Sequence, residues 1–194
     1  MKTLRTAVLG LALVVPQIAG AAKYGIDPAH SSVVFGVRHF VSQTRGSFQK
    51  FEGSIDLDEK DLSKSSVSVA IDVASITTAN EKRDGHLRGE DFFWVEKFPK
   101  AEFVSTKVSK AGKNKFKVEG NLTLRGVTKA LTLDVVKLGE TKTPWGTSVC
   151  GFSAKAKINR LDWDLKWNKA LGAGEFMLGD EVSLEIEVEA SVKN

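Results

Sequence analysis

The stretch Val182-Ser183-Leu184-Glu185-Ile186-Glu187-Val188-Glu189 decides the fold class. Apolar residues take every second place, and three glutamates and a serine fill the places between. A β-strand sends successive side chains to opposite faces, so this spacing makes one apolar face and one solvated face. The same period of two runs back through most of the chain. Phe152, Ala154, Ala156 and Ile158 alternate with Ser153, Lys155 and Lys157. Leu131, Leu133 and Val135 share a face, as do Phe116, Val118, Gly120, Leu122 and Leu124. A strand from about Ala101 to Ser109, carrying Phe103, meets the next one at the hairpin turn Ala111-Gly112-Lys113-Asn114. Val67, Val69, Ile71 and Val73 form another face, and Phe51, Gly53, Ile55 and Leu57 another. From Tyr24 to Phe40 the pattern reads as one strand, with Val33, Phe35, Val37 and His39 together, and Gly46-Ser47 is expected to turn the chain.

About eight long strands, each with one apolar face, suit an antiparallel sheet that closes on itself. The expected fold is all-β: an extended eight-stranded antiparallel barrel. At ~3.3 Å per residue and a tilt near 40°, ten-residue strands enclose a tube on the order of 25 Å deep. The interior of such a barrel is filled by side chains or holds one small ligand. Gly53, Gly120, Ala154 and Ala156 on inward faces either leave room for a ligand or relieve crowding at a taper.

One segment breaks the alternation, from Ser75 to Phe103. A short helix is predicted from Ala79 to Arg88, between the third and fourth strands, with Thr78 and Glu81 as a capping box and Gly89 as its stop. It is nearly all polar, with Leu87 its only large apolar residue, so it has no stripe to bury as core. Phe92-Phe93-Trp94 follow it directly. A polar helix tied to an aromatic cluster reads as a lid on one barrel mouth, with Arg83 pinning the helix through Asp84 or Asp91 or else meeting a ligand's head group. The alternative closure is the irregular connection Asp162 to Gly179, which carries Trp163 and Trp167.

Residues 1–21 read as a signal peptide. Lys2 and Arg5 precede the uncharged run Ala7 to Val15, and Ala19-Gly20-Ala21 is a cleavage signal. The apolar run is shorter than the ~20 residues a spanning helix needs. The expectation is export to the periplasm as one barrel domain over residues 22–194. Without Lys2 and Arg5 the 28 basic residues fall to 26 against 24 acidic ones, a net charge of +2. That small, scattered charge gives no support to nucleic-acid binding. Cys150 is the only cysteine, so no disulfide forms within the chain, and it reads as a small buried strand residue.

Candidate chemistry is sparse. His30, His39 and His86 match no metal-ligand spacing, and no Gly-x-Ser-x-Gly elbow, phosphate loop or dinucleotide fingerprint occurs. No catalytic residue, metal or cofactor is assigned.

A series of short motifs resembles one family along nearly the whole exported chain. It opens with Asp27-x-x-His30-Ser31, Phe35-x-Val37-x-His39 and Gly46-x-Phe48. It continues through Ser75-Ile76-x-Thr78, Arg83-Asp84-x-His86-Leu87, Asp91-Phe92 and Pro99-x-x-x-Phe103. It ends with Gly120-x-Leu122-Thr123-Leu124-x-Gly126-Val127-Thr128-Lys129 and Gly179-Asp180-Glu181-Val182. The series resembles the YceI-like family, the lipocalin-like polyisoprenoid-binding proteins of bacteria. Trp94, Phe98 and Ala130 depart from the family pattern, and Trp94 could alter the mouth. The resemblance implies a lipocalin-like barrel whose hydrophobic tunnel holds a long isoprenoid, the tail of a quinone or a polyprenyl phosphate, without catalysis. Read with the alternation above, it makes Phe35, Val37 and His39 candidate ligand contacts at the start of the chain. Phe51, Val69, Ile71 and Phe103 follow, then Leu122, Leu133, Phe152, Ile158, Leu184 and Ile186. The lid adds Arg83, His86, Phe92 and Phe93. A membrane or membrane protein is the expected delivery partner, and the chain is a monomer or homodimer. Two other readings stand beside this one: a lipid- or metal-dependent enzyme using His39 and His86, and a filled barrel serving as a secreted interaction module.

Overall fold

Alternation in the sequence becomes wall in the structure, a computed structural model that describes residues 22–172 and 174–192. The expected signal peptide lies outside the described residues. The strands are β1 Ala22–Ile26, β2 Ser32–His39, β3 Ser42–Phe48, β4 Phe51–Leu57, β5 Ser66–Asp72 and β6 Ile76–Thr77. Helix α1, Glu81–Arg88, comes next. Then follow β7 Lys100–Gly112, β8 Lys115–Leu124, β9 Val127–Lys142, β10 Ser148–Asn159, β11 Ala170–Gly172, β12 Glu175–Phe176 and β13 Leu178–Val192.

Eight of these strands close a ring in the order β1-β4-β5-β7-β8-β9-β10-β13, all antiparallel, and β13 returns to β1 through Tyr24↔Val192 and Ile26↔Ala190. A closed antiparallel ring leaves no free edge, which a sheet of this length requires in water. Strand β13 is too long for β1 to cover. Its N-terminal half pairs instead with β2, from Leu178↔His39 to Glu187↔Ser32, and β3 and β6 extend that wall. The helix lies between the third and fourth strands of the ring, β5 and β7.

Three expectations need correction. The stretch Tyr24 to Phe40 is two strands, because Pro28 has no amide to give to a ladder and the Asp27 carboxylate accepts from Ala29 N at 2.9 Å to turn the chain. Gly46-Ser47 is not a turn but lies within β3, near its end, in a strand whose polar residues hide its period. Gly46 is needed there because a Cβ would fall 2.4 Å from the Phe35 ring. The real turns are Phe40-Val41 and Gln49-Lys50. Nor do Gly53 and Gly120 leave room. A Cβ at Gly120 would sit 2.5 Å from the Phe103 ring, and one at Gly53 would sit 2.8 Å from Ile26. Neighbouring side chains occupy both places, so these glycines relieve crowding.

The far end of the barrel, away from α1, is packed by Tyr24, Ile55, Leu57, Cys150, Phe152 and Ala190. Burial there pushes the Cys150 thiol up to about 12, so it stays protonated and unreactive at neutral pH.

The alternation of β13 carries a direct test. Ile186 lines the interior, whereas Glu187 is exposed and accepts from Ser153 Oγ at 2.6 Å. Ile186→Glu should cost several kcal/mol, comparable to the stability of a whole domain. Glu187→Lys should stay within ~0.5 kcal/mol. Urea denaturation midpoints measure both, and a larger loss for Glu187→Lys would mean the faces are inverted.

Candidate functional site

The inward faces do not meet at the centre. They enclose a cavity of ≈ 620 Å³ that runs from Phe51 and Leu184 at the lid end to Leu57 and Val135 at the far end. The candidate ligand contacts named from the sequence all lie on its lining. Phe35, Val37 and His39 reach it from β2, Phe51 from β4, and Val69 and Ile71 from β5. Phe103, Leu122 and Leu133 come from β7, β8 and β9, Phe152 and Ile158 from β10, and Leu184 and Ile186 from β13. Arg83 and His86 of α1 and Phe92 and Phe93 just beyond it close the set. Ala154 lines it too.

Sequence reasoning missed part of the lining. Phe48 and Thr44 enter from β3, Lys82 and Leu87 from α1, Leu165, Trp167 and Met177 from the connection after β10, and Leu178 from the start of β13. The connection follows no period, so no pattern marked its inward residues. It is a 3₁₀ turn, Arg160–Trp163, then an irregular run and the small β11–β12 hairpin.

The lid and the connection close the same end together. Helix α1 starts at Glu81, two residues later than the expected Ala79, and Asn80 rather than Thr78 is the cap, its side chain accepting from Arg83 N at 3.0 Å. Thr78 is free for another task. Its amide donates to Asp84 at 2.8 Å, its hydroxyl also donates to Asp84, and the Thr77 hydroxyl donates to the same carboxylate at 3.1 Å. Asp84 is only 2 % exposed. Burial alone would raise its carboxyl, but these three donors outweigh it and hold the group below the usual carboxylate value. The expected pairing of Arg83 with Asp84 or Asp91 does not form. Arg83 donates to Thr78 Oγ1 at 2.7 Å and Thr78 O at 2.9 Å, because the short loop back to Thr78 brings those oxygens within reach first. His86 takes Asp91 instead, at 2.8 Å.

Arg160 does for the connection what Asp84 does for the lid. It is 4 % exposed and donates to the carbonyls of Gly179 at 2.9 Å, Trp167 at 3.0 Å and Leu165, and to Asp180 at 3.2 Å. Burial pulls its pKa down and Asp180 opposes that fall, so the guanidinium remains charged. The two segments then meet ring to ring. His86 stands edge-on to both Phe92 and Trp167, with centroids 5.0 Å apart in each case, and Phe92 lies 5.2 Å from Trp167. Trp94 turns away from the mouth and packs on Phe98 under Lys97.

The lining is hydrocarbon apart from its ends. Lys82, Arg83, Arg160, His39 and His86 mark the lid end, and the one carboxylate among the described lining residues, Asp56, lies at the other end on β4. The three histidines do not converge. His30 is outside the barrel, where Asp27, His30 and Glu189 place ligand atoms within 4.8 Å. That cluster is an ion pair: Asp27 hydrogen-bonds His30 at 2.7 Å and raises its pKa, and a protonated imidazole is a poor metal ligand.

Comparison with known proteins fits this geometry. The family model for the YceI-like domain matches residues 24–190. A UPF0312 protein of Photorhabdus laumondii is 41 % identical over 168 residues, covering 85 % of this chain and 87 % of that one. The crystal structure of the Campylobacter jejuni YceI protein superposes with a TM-score of 0.70 at 34 % identity, over 79 % of this chain and 88 % of that one. A polyisoprenoid-binding domain from Saccharophagus degradans shares the fold, with a TM-score of 0.65 at 15 % identity over 89 % of this chain and 99 % of that one.

The Asp84 cluster gives the lid a pH signature. A folded-state pKa held below the ordinary value of 3.8 stabilises above that value and ceases to do so as pH falls through the folded pKa. Asp84→Asn should cost ~1–3 kcal/mol at pH 7, and the gap to the wild type should narrow below pH ~4. Urea melts of both proteins at neutral and acid pH check it.

Proposed function

This chain belongs to the YceI-like family, and from that footing we propose that it binds a long isoprenoid lipid, tail in the barrel and polar head at the lid, as a carrier or store in the periplasm. The observation that carries the reading is the ≈ 620 Å³ cavity with a hydrocarbon lining along its length. A cavity of about 150 Å³ accepts one benzene ring, so this one has room for on the order of 25 carbons, about five isoprene units. Each buried CH₂ contributes ~0.8 kcal/mol gross, and the costs of association bring the net affinity well below the sum. An isoprenoid tail is nearly insoluble in water, and a protein that moves or stores one outside a membrane must sequester it in this way.

The polar groups at the lid end favour a polyprenyl phosphate over a quinone. Lys82 and Arg83 line the cavity there with no carboxylate beside them on the lining. Two nitrogens of Arg83 are held by Thr78, which leaves Nη1 without a protein partner among the described residues. A guanidinium and an ammonium suit a phosphate, whereas a quinone carbonyl needs only a neutral donor. The commitment of His86 to Asp91 and two aromatic rings favours binding over acid–base catalysis. The Saccharophagus domain, described as polyisoprenoid-binding, lends the same class of ligand to the reading.

Mass spectrometry of an organic extract of the protein purified from its own host tests the proposal. A long isoprenoid in stoichiometric amount is expected, and an extract with no lipid or only straight-chain fatty acid would count against it. Lys82→Gln should weaken a polyprenyl phosphate roughly two- to fivefold and leave the corresponding alcohol unchanged. Cell fractionation should place the protein in the periplasm without residues 1–21; an intact chain held in the inner membrane would remove export from the account.

A further inference from the structure

Exposed apolar surface gathers beside the mouth of the cavity. Val41 is fully exposed at the β2–β3 turn, and Phe40 next to it is about half exposed, as are Leu171 and Phe176 on the β11–β12 hairpin. The two tips touch. Phe40 N donates to Met177 O at 2.8 Å, and Arg38 donates to Phe40 O at 2.8 Å and to Phe176 O at 3.2 Å. Each tip continues a lining residue: Phe40 follows His39, and Phe176 precedes Met177. Both turns therefore stand directly beside lining residues at the lid end. Phe40 holds a left-handed backbone, φ 49°, which a bulky residue adopts only under constraint. Its ring stands edge-on to His39 at 4.6 Å. The other large exposed apolar residues, Val104, Val136, Leu138 and Trp145, lie on β7, on β9 and in the loop after β9, away from these tips.

Charge completes the picture. Arg38, Arg45 and Lys169 belong to the two hairpins, against one acid there, Glu175; Arg45 also lies 3.9 Å from Glu185 on β13. Projecting aliphatic and aromatic tips with cations behind them suit a fluid apolar phase beneath anionic head groups. A protein partner of ordinary affinity would need a far larger complementary area than two hairpin tips provide.

We propose that this rim docks the barrel on an anionic lipid bilayer: Phe40, Val41, Leu171 and Phe176 enter the head-group region while Arg38 and Lys169 face lipid phosphates. The lid end of the cavity then opens at the membrane surface, where an isoprenoid enters or leaves. That purpose rests on the lipid-binding reading, but the docking itself does not.

Flotation of the purified protein with phosphatidylglycerol–phosphatidylcholine vesicles, against phosphatidylcholine alone, tests it. The wild type should float with the anionic vesicles and much less with the neutral ones. The double variant Phe40→Ser/Val41→Ser should lose on the order of tenfold or more in partitioning. Lys169→Gln should lose about fivefold on anionic vesicles only. Isoprenoid alcohol binding in solution should be unchanged in the Phe40→Ser/Val41→Ser variant, which separates failure of docking from failure of ligand binding. Val41→Trp supplies a reading on an otherwise intact rim, since its emission should shift to the blue on anionic vesicles. Wild-type protein that floats with neither vesicle, a double variant that floats as well as the wild type, or a rim buried in a dimer by sedimentation would each overturn the proposal.

Discussion

Strand β13 has more edge than any one neighbour can satisfy, and the rest of the barrel follows from that. One side pairs with β10 from Glu181 to Ser191, and the other must be shared by β1 and β2. Backbone amides and carbonyls in a wall have to be paired, so the chain turns at Asp27-Pro28 and re-enters as a second strand. That division sets the shape of the interior. The β1 half lies against the packed far end, while β2 brings Phe35, Val37 and His39 to the lid half of the cavity. Unequal strand lengths around the ring thus produce one packed end and one end that needs a cover.

The cover is built from segments without a regular apolar face. Each is held by one buried charged residue: Asp84 takes bonds from Thr77 and Thr78 at the entry to the lid, and Arg160 joins Leu165 and Trp167 of the connection to Gly179 and Asp180 of β13. A buried charge without such partners would cost several kcal/mol, and with them it fixes the position of an irregular backbone. Aromatic rings then do the sealing, with His86, Phe92 and Trp167 in mutual contact. The cover is tied to the wall at β13, where Arg160 bonds Gly179 O and Asp180.

Much of this was legible in the sequence. The period of two named the inward faces, and every strand residue singled out from them as a ligand contact lies on the cavity. The lid was legible too, because a polar helix beside Phe92-Phe93 has no other place in an all-β chain. What stayed hidden lacked a period or depended on distant neighbours. Strand β3 has one apolar residue, Phe48, and so reads as a loop. Leu165 and Trp167 lie where Arg160 gathers the backbone, and Met177 lies where Lys169 and Phe40 hold it. Gly53 and Gly120 look like open space along one strand, and the side chains that fill it, Ile26 and Phe103, come from other strands. Asn80 won the helix cap over Thr78 because Asp84, six residues on, had already engaged the threonine.

The central claim is that the barrel is kept hollow for a hydrocarbon chain. A crystal structure of the protein purified from its host, without delipidation, tests it most directly. The account predicts one continuous, unbranching run of non-protein density from the lid end, near Arg83 and Phe92, past Phe103 and Ile186 to Leu133. Side chains of Phe103 and Phe152 collapsed across the axis, or discrete waters along it, would contradict the claim.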